Sequence, residues 1–169
     1  MYKKNKFPLI VIFFLTISFG ELYSQSSNLS NPLEIEIIPY SIDCITPPEG
    51  FMVREGFNGY MHFGTRSSIV IFKLTNRTII NAEEAMNAEY FEANNITLIS
   101  KKDITTNYGE DGFLYKFGYN LKGEDQIRYS LYLGDLNSVL WINFNYPLKN
   151  ERIVEKEAIR SLLTVRYKN

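Results

Sequence analysis

The chain has 169 residues, room for one ordinary domain but not for two. Apolar residues make up 45% and aromatics 15%, enough for a packed core, and a 22% charged fraction argues against an intrinsically disordered chain. The net charge is −1, and no basic block follows the N-terminal lysines, which excludes a general nucleic-acid binder and a polybasic membrane-surface patch.

Met1 to Lys6 is a short basic stretch, and Phe7 to Phe19 is an apolar run of 13 residues. That pattern is a secretory signal peptide, too short for a comfortable membrane span. Ser18 and Gly20 place small residues for cleavage before Glu21; cleavage after Ser24 competes with it. Removal of Lys3, Lys4 and Lys6 leaves 15 basic against 18 or 19 acidic residues, a net of −3 or −4. The segment 25–32 is polar and reads as a flexible lead-in to one α+β domain over 33–169. The sequons at Asn28, Asn76 and Asn95 are read as chance, because the wealth of Asn, Lys, Ile and Tyr suits an AT-rich bacterial genome.

Leu33 to Ile38 alternates apolar and acidic, Pro39 interrupts, and Tyr40 to Ile45 follows; together they predict one bent strand or two short ones. Thr46 to Gly50 is a turn. Between Gly56 and Gly64 three glycines sit among Phe57, Tyr60, Met61, His62 and Phe63. Glycines at that density predict irregular backbone, hence a surface segment, and the large side chains make it a candidate partner-binding surface. The competing reading is a lid folded back on the core. Ser68 to Leu74 is apolar on both faces, as a covered central strand is.

Asn81 to Asn94 predicts one helix, with Asn81 as cap, Glu84 in capping-box position, and a stripe of Ala82, Ala85, Met86, Tyr90 and Ala93. Phe91 lies off that stripe. Ile96 to Thr105 is the first of four strands. In the second, Phe113, Tyr115, Phe117 and Tyr119 share one face. The third places Ile127, Tyr129, Leu131 and Leu133 together. In the fourth, Leu140, Ile142, Phe144 and Tyr146 oppose Val139, Trp141, Asn143 and Asn145. Consecutive strands joined by short turns, as at 122–125 and 134–137, make the four an antiparallel meander. Asn150 is placed to cap a closing helix over 151–163, with Val154, Ala158 and Leu162 on one stripe. The class is therefore α+β: an antiparallel sheet packed by two helices, with a three-layer α/β/α sandwich as the preferred form.

Several features of that order carry a resemblance. They are Pro48-Glu49-Gly50-Phe51, the strand entry Ser67-Ser68-Ile69, the aromatic strand led by Gly112, the strand end at Gly134, Tyr146-Pro147, and the closing helix with Ile159, Leu162 and Leu163. Across about residues 35 to 167 the chain resembles the Mog1/PsbP-like fold, including PsbP-related exported proteins of bacteria. The resemblance implies an accessory role. Mog1-like proteins bind a small GTPase, and PsbP assists the oxygen-evolving side of photosystem II. No functional residue of either group matches a position here, so neither role transfers.

Chemistry is sparse. His62 is the only histidine; Ser67 and Ser68 are near it in sequence, which does not position a triad. Cys44 is the only cysteine, expected in the core rather than linking two chains, and one His with one Cys makes no zinc set. Acidic pairs at 110–111 and 124–125, with Asp135, sit in turns without EF-hand spacing. No catalytic residue, metal site or cofactor is assigned. The sequence thus points to an exported, non-enzymatic accessory or binding protein of the bacterial envelope, periplasmic or secreted. The expected partner is another envelope or secreted protein, with no stable membrane span after cleavage, and the expected state is a monomer. An effector-binding immunity or chaperone-like protein is the alternative. A carboxylate-based hydrolase is the second.

Overall fold

The computed structural model describes residues 35–167. The leader, both cleavage positions and the lead-in at 25–32 lie outside the described residues. In chain order the elements are β1 (Glu36–Pro39), a 3-10 turn (Ile42–Cys44), β2 (Met52–Arg54), β3 (Phe57–His62), β4 (Ser67–Thr75), α1 (Ile79–Glu84), α2 (Ala88–Ala93), β5 (Ile96–Thr105), β6 (Asp111–Leu121), β7 (Glu124–Gly134), β8 (Ser138–Pro147), a 3-10 turn (Leu148–Asn150) and α3 (Glu151–Leu162).

Eight strands form one sheet in the order β2-β3-β4-β8-β7-β6-β5, and β1 also pairs with β4. Every pairing is antiparallel. β4 is central: β8 runs along one side of it, while the other side is shared by β3, against Ser67–Val70, and β1, against Phe72–Thr75. The two edges are blunted against stray pairing. β2 has three residues and a register shift at Val53/Arg54. β5 is bulged between Leu98 and Ser100 and carries Lys101 and Lys102.

Alternation then sorts the side chains into two layers. On one face Ile69, Ile71, Leu114, Ile127, Tyr129, Leu131, Leu140, Ile142, Phe144 and Tyr146 form a buried core with Val154, Ala158 and Leu162 of α3. A 12-residue helix is marginal alone, so burial of that stripe, at about 1.5–3 kcal/mol per large apolar side chain, is what holds α3. On the other face Tyr115, Phe117, Tyr132 and Trp141 are buried. There Met86, between α1 and α2, accepts a hydrogen bond from the Tyr132 hydroxyl at 3.5 Å, and Phe91 of α2 packs on Phe117 at 5.5 Å. Helices on both faces of an antiparallel sheet give the α+β, three-layer arrangement that the sequence implies.

Five local expectations are corrected. Tyr40 to Ile45 holds a 3-10 turn rather than a strand. The helix of 81–94 is two six-residue helices. Thr78, not Asn81, caps the first, its Oγ1 accepting from Asn81 N at 3.0 Å. Asn87 adopts extended backbone and restarts the second, its side chain accepting from Tyr90 N. That break re-aims Phe91, which a continuous helix would leave off the apolar stripe.

Gly56 to Gly64 is not irregular: Phe57–His62 is a ladder strand. Gly59 is needed inside it, since an added Cβ would meet the Ile69 carbonyl oxygen at 1.8 Å. Finally, Asn150 does not cap α3 with its side chain; its Nδ2 donates to the Thr65 carbonyl at 2.8 Å.

Candidate functional site

The four side chains singled out in Phe57–His62 divide between the two faces. Tyr60 is buried, 8% exposed, and belongs to the α3-side core. Its hydroxyl donates to the Ile42 carbonyl at 3.1 Å. Tyr60 therefore packs as part of that core. Phe57, Met61 and His62 are half-buried. The exposed apolar groups here are Met52 and Val53 on the edge strand β2 and Phe63 beyond β3.

His62 is held from several sides. Its ring stacks on Phe51 at 5.4 Å. Added Cβ atoms at Gly50 and Gly64 would lie 2.9 Å and 3.1 Å from the ring, so both glycines make room for it. Nδ1 accepts from Thr65 N at 3.1 Å and lies 2.7 Å from Thr65 Oγ1, which meets Ser67 Oγ at 2.8 Å. With Nδ1 accepting a backbone N–H, the hydrogen-bond pattern assigns the ring proton to Nε2. Ser67 is 1% exposed and bonded to Thr65, so its hydroxyl is beyond a substrate's reach. The chain His62–Thr65–Ser67 pins the β3–β4 turn.

Under the N-terminal half of α3 lies a polar network. Lys116 Nζ donates to Glu151 at 2.7 Å and to Glu155 at 2.6 Å, and the Tyr129 hydroxyl donates to the same Glu155 oxygen at 2.6 Å. Burial of Lys116 disfavours its charge, but the bonds from Glu151 and Glu155 outweigh it and hold its pKa above the ordinary lysine value. Glu155 lies below the ordinary carboxylate value because of Lys116 and then Tyr129. Burial, then the Glu155 bond, raises Tyr129; burial, then Tyr129, raises Tyr146. Each charge here has a partner, and the network ties α3 to β6 and β7.

The acidic turn residues are also occupied. Glu110 accepts from Tyr167 N at 2.8 Å, Asp111 from Thr105 Oγ1 at 2.7 Å, and Asp125 from Asn120 at 2.9 Å. Asp135 accepts from the backbone of Asn137 and Ser138, and Glu124 pairs with Arg66 and Lys149. Among the described residues no group of three or more His, Cys, Asp or Glu is placed to hold a metal ion. Burial drives the Cys44 thiol up to about 12, so it stays protonated and unreactive. The depression beside it, lined by Tyr40, Asp43, Cys44, Thr46, Tyr108 and Arg166, encloses about 200 Å³, below the usual range for small-molecule sites.

The α1–α2 side of the sheet carries a polar row that sequence reading passes over. Ser68, Asn145 and Arg128 are register partners across β4, β8 and β7. Arg128 Nε donates to Asn145 Oδ1 at 2.8 Å and its guanidinium lies over the Tyr119 ring at 4.8 Å. The Tyr119 hydroxyl reaches the same Asn145 oxygen at 3.3 Å. One row on, Ser130 Oγ donates to Asn143 Oδ1 at 2.5 Å. These residues come from four strands, so only the strand register brings them together.

No family model matches the chain, and no curated protein matches it by sequence. Comparison of folds does find likeness. LpqN of Mycobacterium tuberculosis, described as involved in cell envelope biogenesis, superposes with a TM-score of 0.52 at 11% identity, over 76% of this chain and 88% of LpqN. Cyanobacterial PsbP of Synechocystis sp. PCC 6803 gives a TM-score of 0.52 at 7% identity, over 85% of this chain and 99% of that one. The chain has the Mog1/PsbP-like fold, as the motif order at 35–167 implies.

Proposed function

We propose that this chain is an exported, non-enzymatic accessory protein of the bacterial cell envelope. The observation that carries the reading is a basic start followed by a 13-residue apolar run, the pattern of a secretory leader, ahead of a fold shared with LpqN, a protein involved in cell envelope biogenesis. Two further points support it. Among the titratable groups with displaced values, Lys116, Tyr129 and Glu155 serve the attachment of α3. Among the described residues no helix is long and apolar enough to cross a membrane.

Fractionation of cells expressing the full chain, with intact-mass measurement, tests the export half. The expected product lies outside the cytoplasm and begins near residue 21 or 25; a cytoplasmic chain that retains Met1 to Phe19 overturns it. Sensitivity of a deletion strain to detergent tests the envelope half, with restoration by the wild-type chain as the expected result. A deletion strain indistinguishable from its parent overturns that half.

A further inference from the structure

We propose that Arg128, with Asn145, Asn143 and Ser68, forms a binding site for an oxyanion, a carboxylate or phosphate group, on the α1–α2 side of the sheet. The argument is one of acceptors and donors. The amide oxygens of both asparagines are engaged within the protein: Asn145 Oδ1 by Arg128 and Tyr119, and Asn143 Oδ1 by Ser130. Because Arg128 Nε can only donate, the orientation of the Asn145 amide is fixed.

Several donors on this face remain without a good acceptor. Asn143 Nδ2 is fully buried and has no hydrogen-bond partner. Asn145 Nδ2 reaches only Ser68 Oγ, at a long 3.5 Å. The terminal nitrogens of Arg128 meet no carboxylate among the described residues; the ion pairs there engage Arg66, Lys101, Lys116, Lys149 and Arg160 instead.

A buried donor left without an acceptor is costly, and a half-buried guanidinium that meets no carboxylate among the described residues adds to that cost. A group with several acceptor oxygens and a negative charge relieves both. A cation is repelled by the guanidinium. The Tyr119 ring beneath the guanidinium and the Nε bond to Asn145 hold Arg128 in place, and its two terminal nitrogens are left as a fork suited to a two-oxygen ligand. Ser68, Asn145, Arg128 and Tyr119 are each half-buried, so the row is accessible at its rim while Asn143 lies beneath. This site stands apart from the envelope reading and does not depend on it.

The test is a titration of the protein purified from cells expressing the full chain, with sodium phosphate and sodium acetate as probes. Ionic strength is held constant with sodium chloride. The readout is the side-chain amide signals of Asn143 and Asn145 and the Nε–H signal of Arg128 in nitrogen-correlated NMR. Saturable shifts with phosphate or acetate, absent with chloride, are expected; the probe that saturates identifies the class of oxyanion. Arg128→Gln is expected to weaken the response about tenfold or more, and Arg128→Lys by less, since charge survives without the fork. Shifts that never saturate, shifts equal to those with chloride, or unchanged affinity in Arg128→Gln overturn the proposal. The wild-type titration decides by itself should either variant fail to fold.

Discussion

The side-chain amide of Asn58 donates to the main-chain carbonyl of Ile71, closing a gap in the central sheet. β3 pairs with β4 as far as Val70 and β1 takes over at Phe72, so Ile71 falls between the two partners. The same Nδ2 donates to the Tyr40 carbonyl at 3.1 Å, where β1 has just ended. One side chain thus serves two carbonyls that no strand reaches. Asn58→Leu leaves both without that donor and is expected to cost about 1–3 kcal/mol in urea unfolding. Asn58→Asp sets a carboxylate against two carbonyl oxygens and is expected to cost more. Equal stability of Asn58→Leu and the wild type would show that water replaces the amide without loss.

Tyr60 and Phe63 are three residues apart and have opposite fates. Tyr60 is buried at 8% exposure and Phe63 is 58% exposed. Tyr60→Ala is expected to destabilise by about 3–5 kcal/mol, as an aromatic truncation in a core does. Tyr60→Phe removes only the bond to Ile42 and is expected to cost about 0.5–1.5 kcal/mol. Phe63→Ala should stay within about 0.5 kcal/mol. Denaturant melts of the three variants check the order; a near-neutral Tyr60→Ala would put that ring outside the core.

How much of this was legible in the chain depended on whether the controlling contact was local. Alternation at Phe113, Tyr115, Phe117 and Tyr119 marks β6 because each residue reports its own face. β3 hid because Gly59 is dictated by the Ile69 carbonyl of the neighbouring strand, a contact no local pattern displays. The apolar stripe from Ala82 to Ala93 runs through the break between α1 and α2, since Asn87 reads equally well as a helical residue or as a cap. Arg128 and Asn145 are 17 positions apart and meet only through the β7–β8 register, so the polar row could be found only after pairing was known.

Glycines at positive φ separate into those that need space and those that need only conformation. Gly59 has φ +150° and an added Cβ would lie 1.8 Å from a backbone oxygen, which cannot move without breaking the β3–β4 ladder. Gly123, in the β6–β7 turn, has φ +84° and nothing within 4 Å. Gly59→Ala is therefore expected to lose at least about 2 kcal/mol, and Gly123→Ala about 1–2 kcal/mol from left-handed backbone alone. Thermal unfolding of the pair checks the ranking; a reversed order would mean β3 does not pair with β4 at Val70.

The attachment of α3 predicts an acid-sensitive stability. Lys116 first, then Tyr129, lowers the folded pKa of Glu155. A lowered carboxylate contributes stability that is present above its unfolded value, about 4.3, and is lost as pH falls through the folded value. Lys116, raised by Glu151 and Glu155 against its burial, contributes below its unfolded value of about 10.4 and loses that contribution as pH rises through the folded one. Tyr129, raised by burial and then by Glu155, acts in the same sense as Lys116 above about pH 10. The melting temperature is therefore expected to be flat between about pH 5 and about pH 9 and to fall on either side.

Lys116→Met keeps the length of the stem but removes the cation between Glu151 and Glu155, and the two carboxylates then repel. In that variant the acid shoulder moves to higher pH, because Glu155 has lost the main cause of its lowered value, and the melting temperature at neutral pH drops as well. Thermal melts of both proteins from about pH 3 to about pH 7 check this. Superimposable acid shoulders would show that Lys116 and Glu155 are paired in geometry without being coupled in energy.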